Sequence, residues 1–299
     1  SGNLNLGVPG IMYLGGFAGF ASAWAYENTA ANPSGAVSVV IALTCAILAS
    51  MAGGLIYAFL TISLRANQNV TGLALTTFGM GVANFFGVFI LNGASYSAAP
   101  IANKAFSAKI PVLSTLGSFG QVVFSYGFLV YAAIALAIAL HWFLTRTRAG
   151  LNLRAVGENP ATADAAGINV TLYKYLATCI GAGICGIGGL YYVLDYNQGI
   201  WATTGQIEAL GWLAVALVIF TTWKPLNAIW GAYLFGMLYW LYQFLPTLLG
   251  ITMASHITDL VQMLPYVVTI VVLIVVSMRK KKENQPPAHL GLAYFREER

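Results

Sequence analysis

The sequence predicts an all-α polytopic membrane protein, with about eight transmembrane helices, one short re-entrant or interfacial segment and a short helix in a long inner loop. Three observations predict it. Hydrophobic residues fill 59% of the 299 positions and charged residues only 8%, with mean hydropathy +0.75. Soluble domains carry about 25% charged residues, so a water-soluble globule is excluded and lipid must be the solvent for the apolar excess. Apolar runs long enough to cross a bilayer, ~20 residues, recur along the whole chain. The basic residues fall between or beyond those runs, except Lys174 at the mouth of one.

The runs lie near 8–26, 36–62, 70–91, 122–144, 173–193, 209–223, 225–245 and 262–278. The run 209–223 is short and is expected to lean on its neighbours. The stretch 110–120 is apolar but broken by Pro111 and Gly117, which suits a re-entrant or interfacial piece. An even number of crossings puts 63–69, 145–172, Lys224 and everything after 278 on one side. That side collects Arg65, Arg146, Arg148, Arg154, Lys174, Lys224 and six tail residues, twelve of the fourteen Lys+Arg, against Lys104 and Lys109 opposite. The positive-inside rule makes it the cytoplasmic side. Residues 1–278 are therefore read as a transmembrane domain with an inner loop at 145–172, and 279–299 as a basic cytoplasmic tail. Trp24, Trp142 and Trp223 sit at run ends, as interfacial anchors do. The basic pI of about 9.1 reflects this orientation and does not point to nucleic acid.

Small residues recur at helical spacing inside the runs: Gly15 and Gly19; Gly79, Ala83 and Gly87; Gly181, Cys185 and Gly189. They let helix backbones approach closely where no hydrophobic effect drives association. GAGICG at 181–186 matches a dinucleotide-binding pattern, but it lies within an apolar run with no preceding strand, so the match is spurious. Cys45, Cys179 and Cys185 also lie in apolar runs, an odd set that gives neither a disulfide framework nor metal spacing.

Catalysis would need clustered titratable groups, and the runs are nearly bare of them. His141 stands alone, and His256 with Asp259 forms a loop pair too small to hold a metal. No GxxxxGK[ST] phosphate loop occurs. Asp195 and Glu208 bracket an outer segment, Glu158 and Asp164 lie in the inner loop, and no carboxylate sits mid-span. That argues against proton coupling, although sodium sites built from carbonyls stay open. Neutral polar residues are more plentiful. Thr77, Gly81 and Asn84 share one helical face, and Asn3 and Asn5 lie ahead of the first run. Such a face suits either a path for a neutral polar solute or hydrogen bonds between helices.

The inner loop reads TRTRAGLNLRAVGENPATADAAGINVTL. Asn159 can cap a helix, Pro160 suits the first helical position, and Gly167 can take the left-handed conformation that ends it. A helix of about two turns is thus presented to the cytoplasm, preceded by Arg146, Arg148 and Arg154. Its alanine-rich face has little bulk to bury in headgroups, so it suits a partner protein's groove.

That loop, in the stretch GLNLRAVGENPATADAAGINV, closely resembles the cytoplasmic coupling loop of bacterial ABC-importer permeases for ribose, branched-chain amino acids and nucleosides. SGNLNLGVPG resembles the family's S-G-x-L-N-L-G-x-E-G segment, and LRANQNVTGLAL its R-A-N-Q-x-V-x-G-L-A motif. LGWLAVALVIFTTWKPLNAIWGAYLFG resembles its paired helices joined by a tight inner turn. The ending LGLAYFREER is similar to L-G-x-x-Y-x-R-E-x-R of the nucleoside, simple-sugar-type branch. Pro9 departs from the pattern, standing where the family has Glu. The family also has a span ahead of the N-L-G motif, and the numbering opens on Ser1, so an upstream segment is expected.

The resemblance implies a transport subunit and not an enzyme. It implies a multi-pass chain of the bacterial cytoplasmic (inner) membrane, forming half of a nucleoside path. It also implies a homologous second permease as heterodimer partner, an ABC ATPase with two nucleotide-binding halves, and an extracytoplasmic substrate-binding lipoprotein. No cofactor would be held in this chain; ATP and Mg would be used by the ATPase. Arg154, Gly157, Glu158, Asn159, Pro160, Asp164 and Gly167 would couple the ATPase to the spans, and Asn3, Asn5, Thr77 and Asn84 are candidates to line the path. Two alternatives stay open: a simple-sugar permease of the same class, and an ion-coupled secondary transporter.

Overall fold

The computed structural model describes residues 1–90, 97–109, 125–201, 205–249, 261, 263–279 and 286–295. Over these the regular secondary structure is helical apart from one short strand pair. The elements are α1 (Val8–Thr29), α2 (Gly35–Ala58), α3 (Gln68–Ile90), β1 (Ser97–Ala98), α4 (Pro100–Phe106), α5 (Phe128–Arg146), α6 (Arg148–Glu158), α7 (Pro160–Ala165), α8 (Val170–Tyr191), β2 (Ile200–Trp201), α9 (Gln206–Phe220), α10 (Pro225–Leu249) and α11 (Leu264–Arg279). Both α2 and α8 finish in one π-helical turn, Phe59–Ser63 and Tyr192–Tyr196. The segment 110–120 and the pair His256 and Asp259 lie outside the described residues.

Four helices among the described residues are long and apolar enough to cross a membrane: Gly35–Ser63, Gln68–Phe89, Phe128–Arg146 and Val170–Tyr196. Helices also stand at the other expected runs, as α1, α9, α10 and α11. The run at α9 is apolar but only 15 residues long, as its short apolar stretch suggested. The all-α expectation therefore holds, and four of the eight expected crossings meet the length and hydropathy requirement.

The bundle is organised around α1, which packs on α2, α3, α8 and α9. Backbone-to-backbone packing makes this possible. A Cβ on Gly79 would strike the Gly10 backbone, one on Gly189 the Met12 carbonyl, and one on Gly15 the Gly186 Cα. Gly181, by contrast, faces open space, so only part of the 181/185/189 stripe is interface. Ser50 fastens the same junction by donating to the Ile11 carbonyl at 3.2 Å. Pro9 sits in the first turn of α1, where its missing N–H costs nothing, and its ring lies against Gly211 of α9.

At the far end from the 145–172 loop, Glu27 of α1 reaches across to α4. Its Oε1 accepts from Ala102 N at 2.6 Å and its Oε2 from Ile101 N at 3.2 Å. A carboxylate there satisfies otherwise unpaired N-terminal donors. The antiparallel pairs Ser97↔Trp201 and Ala98↔Ile200 then set Trp201 into the core beside Phe17 and Phe20, with ring centroids 5.1 and 6.0 Å away.

Candidate functional site

The 145–172 loop folds as two helices in series. Thr147 opens α6 by accepting from Gly150 N at 3.0 Å, and its own hydroxyl donates to Phe143 O at 2.7 Å. Sequence reasoning did not distinguish α6, because Gly150, Asn152 and Gly157 lower its helix propensity and docking holds it instead. Asn159 then caps α7, its Oδ1 accepting from Thr162 N at 3.0 Å, with Pro160 in the first turn. Gly167 follows at φ 84°, in the left-handed region. Asn169 repeats the cap for α8 through Leu172 N at 3.0 Å.

One face of α7 is anchored. Ala163 packs with Val156 of α6 and Val170 of α8 in a buried cluster joined by Ile168, Tyr173 and Tyr294. The other edge, Thr162, Ala165, Ala166 and Gly167, is exposed. Arg154, Glu158 and Asn159 are exposed too, whereas Gly157 and Pro160 are buried.

The tail braces this arrangement. Residues 286–295 cross behind α6 and α7. His289 N donates to Gly157 O at 3.2 Å, Ala288 N to Glu158 Oε2 at 3.2 Å and Tyr294 OH to Asp164 Oδ2 at 3.0 Å. Gly291 N reaches Gly2 O at 2.9 Å, and Gln68 Nε2 reaches Leu292 O at 3.3 Å. Arg65 lies 4.6 Å over the Phe295 ring. The sequence marks this segment as a basic tail whose ending resembles the family's, without indicating that it docks on the loop. The ring and glycine positions that dock it are in LGLAY, but their partners lie far away in sequence.

The polar residues expected near a path separate into two groups. Asn3 and Asn5 belong to a non-helical lead-in to α1 on the loop side. Asn3 Nδ2 donates to Thr178 Oγ1 at 3.0 Å, and Asn5 Oδ1 accepts from Gly7 N at 2.8 Å. Gln68 and Thr76 of α3 hold the same segment, through Leu4 N at 2.6 Å and Leu6 O at 3.1 Å. Thr77 and Gly81 lie on the uncovered face of α3.

Asn84 lies sixteen residues beyond Gln68, about 24 Å along the helix at ~1.5 Å per residue. Its Oδ1 is buried without a hydrogen-bond partner, and so is Trp201 Nε1. The two are close to one α3 face: Trp201 Nε1 would lie 2.8 Å from a Cβ on Gly87, one turn beyond Asn84. An orphaned acceptor and an orphaned donor therefore stand near one another beside the aromatic core. Both are costly unless something polar meets them. Asn84 was legible in the sequence; Trp201 was not, because β1 pairing delivers it.

Asp195 is engaged by Ser107 Oγ at 2.8 Å. Among the described residues no group of three or more His, Cys, Asp or Glu side chains is placed to hold a metal.

Residues 1–275 match the family described as branched-chain amino acid transport system / permease component. The chain is 35% identical over 243 residues to the provisionally named glucose ABC transporter permease TsgC13 of Haloferax volcanii, covering 80% of this chain and 68% of that relative. It is 31% identical over 274 residues to the nucleoside ABC transporter permease NupC of Lactococcus lactis subsp. cremoris, 91% of this chain and 83% of that one. It is 33% identical over 244 residues to the guanosine ABC transporter permease NupQ of Bacillus subtilis, 79% and 72%. No solved structure matches. A match across nearly the whole chain, with a capped helix presented from a braced loop and relatives that are transport components, leaves one assignment: this chain is an ABC transporter permease of the branched-chain amino acid transport system / permease component family.

Proposed function

We propose that the chain forms half of the import path of an ATP-driven transporter for nucleosides, with energy supplied in trans. The observation that carries this is α7. It is capped by Asn159, closed by left-handed Gly167 and anchored on Ala163, while its Thr162–Gly167 edge stays open. A rigid helix exposed along one edge transmits a push from a partner into α8, to which it is joined through Ile168 and Asn169. That partner is an ATPase with two nucleotide-binding halves, on the side of the membrane where the basic residues gather.

The open α3 face bearing Thr77, Gly81, Phe85 and Phe89 suits a homologous second permease, with an extracytoplasmic lipoprotein delivering solute from the opposite side. The eight-crossing arrangement with its C-terminus in the cytoplasm belongs to this proposal. For the solute, Asn84 and Trp201 offer an acceptor and a donor beside aromatic rings, which fits a nucleobase or a sugar hydroxyl. The NupC and NupQ likeness favours nucleosides. The TsgC13 likeness supports a second reading, a simple sugar.

The test is reconstitution of the chain with its second permease, ATPase and binding protein in proteoliposomes. ATP-dependent accumulation of labelled guanosine, unmatched by glucose, is the expected result. Glucose accumulation alone selects the sugar reading. Uptake that ignores ATP but collapses with an ionophore overturns both.

A further inference from the structure

We propose that the chain carries a phosphate-binding site at the foot of α8, distinct from the proposed solute path and adjoining the Gly167 end of α7. A cavity of about 450 Å³ lies between the turn after α2, the α7–α8 junction and the docked tail. Lys174 lines it. This side chain is only 3% exposed, yet it makes no hydrogen bond or ion pair with any described residue. An ammonium withdrawn from water without a partner is expensive, so the cavity is the place where its counter-charge belongs.

Two further donors converge there. Arg65 lines the cavity with its guanidinium stacked on Phe295 at 4.6 Å, an arrangement that fixes the plane and leaves the N–H edges for an oxyanion. The first turn of α8 is the third. Asn169 takes up Leu172 N at 3.0 Å, which leaves the Val170 and Thr171 N–H groups at the positive end of a 22-residue helix. Gln68 also lines the cavity; its Oε1 accepts from Leu4 N and one Nε2 hydrogen goes to Leu292 O, which leaves at most one N–H to add to the set. Asp164 is the carboxylate on the lining, and it is held by the Tyr294 hydroxyl at 3.0 Å.

Two cations and a helix terminus against one carboxylate favour an anion. Donors from three chain segments fit a tetrahedral oxyanion better than a planar carboxylate, which presents two oxygens. The volume exceeds that of a bare phosphate, so the group arrives on a larger molecule. Its source is either a soluble phosphate ester or the headgroup of an anionic phospholipid.

The experiment uses the full chain, delipidated in maltoside detergent, with radiolabelled inorganic phosphate in equilibrium dialysis. Saturable one-to-one binding is expected, weakened at least tenfold by Lys174→Met and by Arg65→Gln. Asp164→Asn should tighten it several-fold, since it removes a like charge and keeps an acceptor for Tyr294, a change that a merely structural role would not produce. In nanodiscs containing phosphatidylglycerol, loss of phosphate binding with lipid retained by the wild type and not by Lys174→Met identifies the headgroup as source. Undiminished phosphate binding there identifies the soluble ester. The proposal is overturned if neither probe binds saturably, or if Arg65→Gln and Asp164→Asn leave binding unchanged. It is equally overturned if Lys174→Met leaves phosphate binding intact and instead abolishes ATPase capture, which would make the occupant a partner's carboxylate.

Discussion

Tyr294 donates its phenolic hydrogen to Asp164 Oδ2 at 3.0 Å, joining two residues 130 positions apart, while its ring packs with Val156, Ala163 and Val170. The tail is thereby part of the support of the short helix α7. Tyr294→Phe keeps the ring and loses a bond to a charged group, worth about 1.5–3 kcal/mol. The expected outcome is weaker coupling, with more ATP hydrolysed per solute moved and solute affinity unchanged. Tyr294→Ala, which also empties the apolar contact, should uncouple further. The ratio of hydrolysis to uptake in proteoliposomes measures both.

Gly167 isolates backbone conformation from space. At φ 84° it is left-handed, yet a Cβ there would meet nothing within 4 Å. Gly167→Val therefore pays only for conformation, about 1–2 kcal/mol, and should displace the end of α7 and lower uptake severalfold at normal expression. Gly167→Asn tolerates the same conformation and should retain most uptake. Equal behaviour of the two variants would mean that the left-handed stop is not what positions the helix.

The glycine stripes make opposite predictions for residues that look alike in sequence. Gly79→Ala sets a methyl against the Gly10 backbone, which has no side chain to move aside; overpacking of this kind costs about 1–3 kcal/mol. Gly181→Ala projects into open space and gains helix propensity, up to about 1 kcal/mol. Thermal unfolding of the two purified variants should move in opposite directions.

His289 gives the tail a pH dependence. Its Nδ1 is buried without a partner, and burial, with Lys174's charge second, lowers its pKa below the ordinary 6.5. The docked state thus binds fewer protons than the released state. Docking is at full strength above pH ~6.5 and is lost as pH falls below that value toward the lowered pKa. Limited proteolysis of the tail should accelerate between pH 7.5 and 5.5, and His289→Gln should flatten that response.

These elements also show what the sequence could and could not disclose. Helices at the apolar runs follow from composition alone, and α7 follows from Asn159, Pro160 and Gly167, because caps and stops act within a few residues. Asn84 could be found because it shares a helical face with Thr77. Partners distant in sequence were not legible: Glu27 with the start of α4, Tyr294 with Asp164, or Trp201 beside Gly87. Lys174 reads from sequence as one more inner-side charge, and only the packing of α8 against the lead-in and tail reveals that it is enclosed. Gly181 and Gly189 are equivalent as a pattern and differ only in what they face.

Trp201 and Asn84 bear on whether the orphaned pair serves the solute. Trp201→Phe removes a buried N–H that has no acceptor, a gain of roughly 1–3 kcal/mol if nothing ever meets it. It also shrinks a ring packed among Tyr13, Phe17 and Phe20, which leaves a void that costs a comparable amount. The two effects oppose, so thermal stability should change little. Transport should not be so indifferent. If solute passes this point, it loses a donor in Trp201→Phe and an acceptor in Asn84→Leu, and each should raise the uptake KM severalfold with ATP hydrolysis retained. A KM unchanged in both variants, with folding intact, would place the path elsewhere and leave the pair to bridging water.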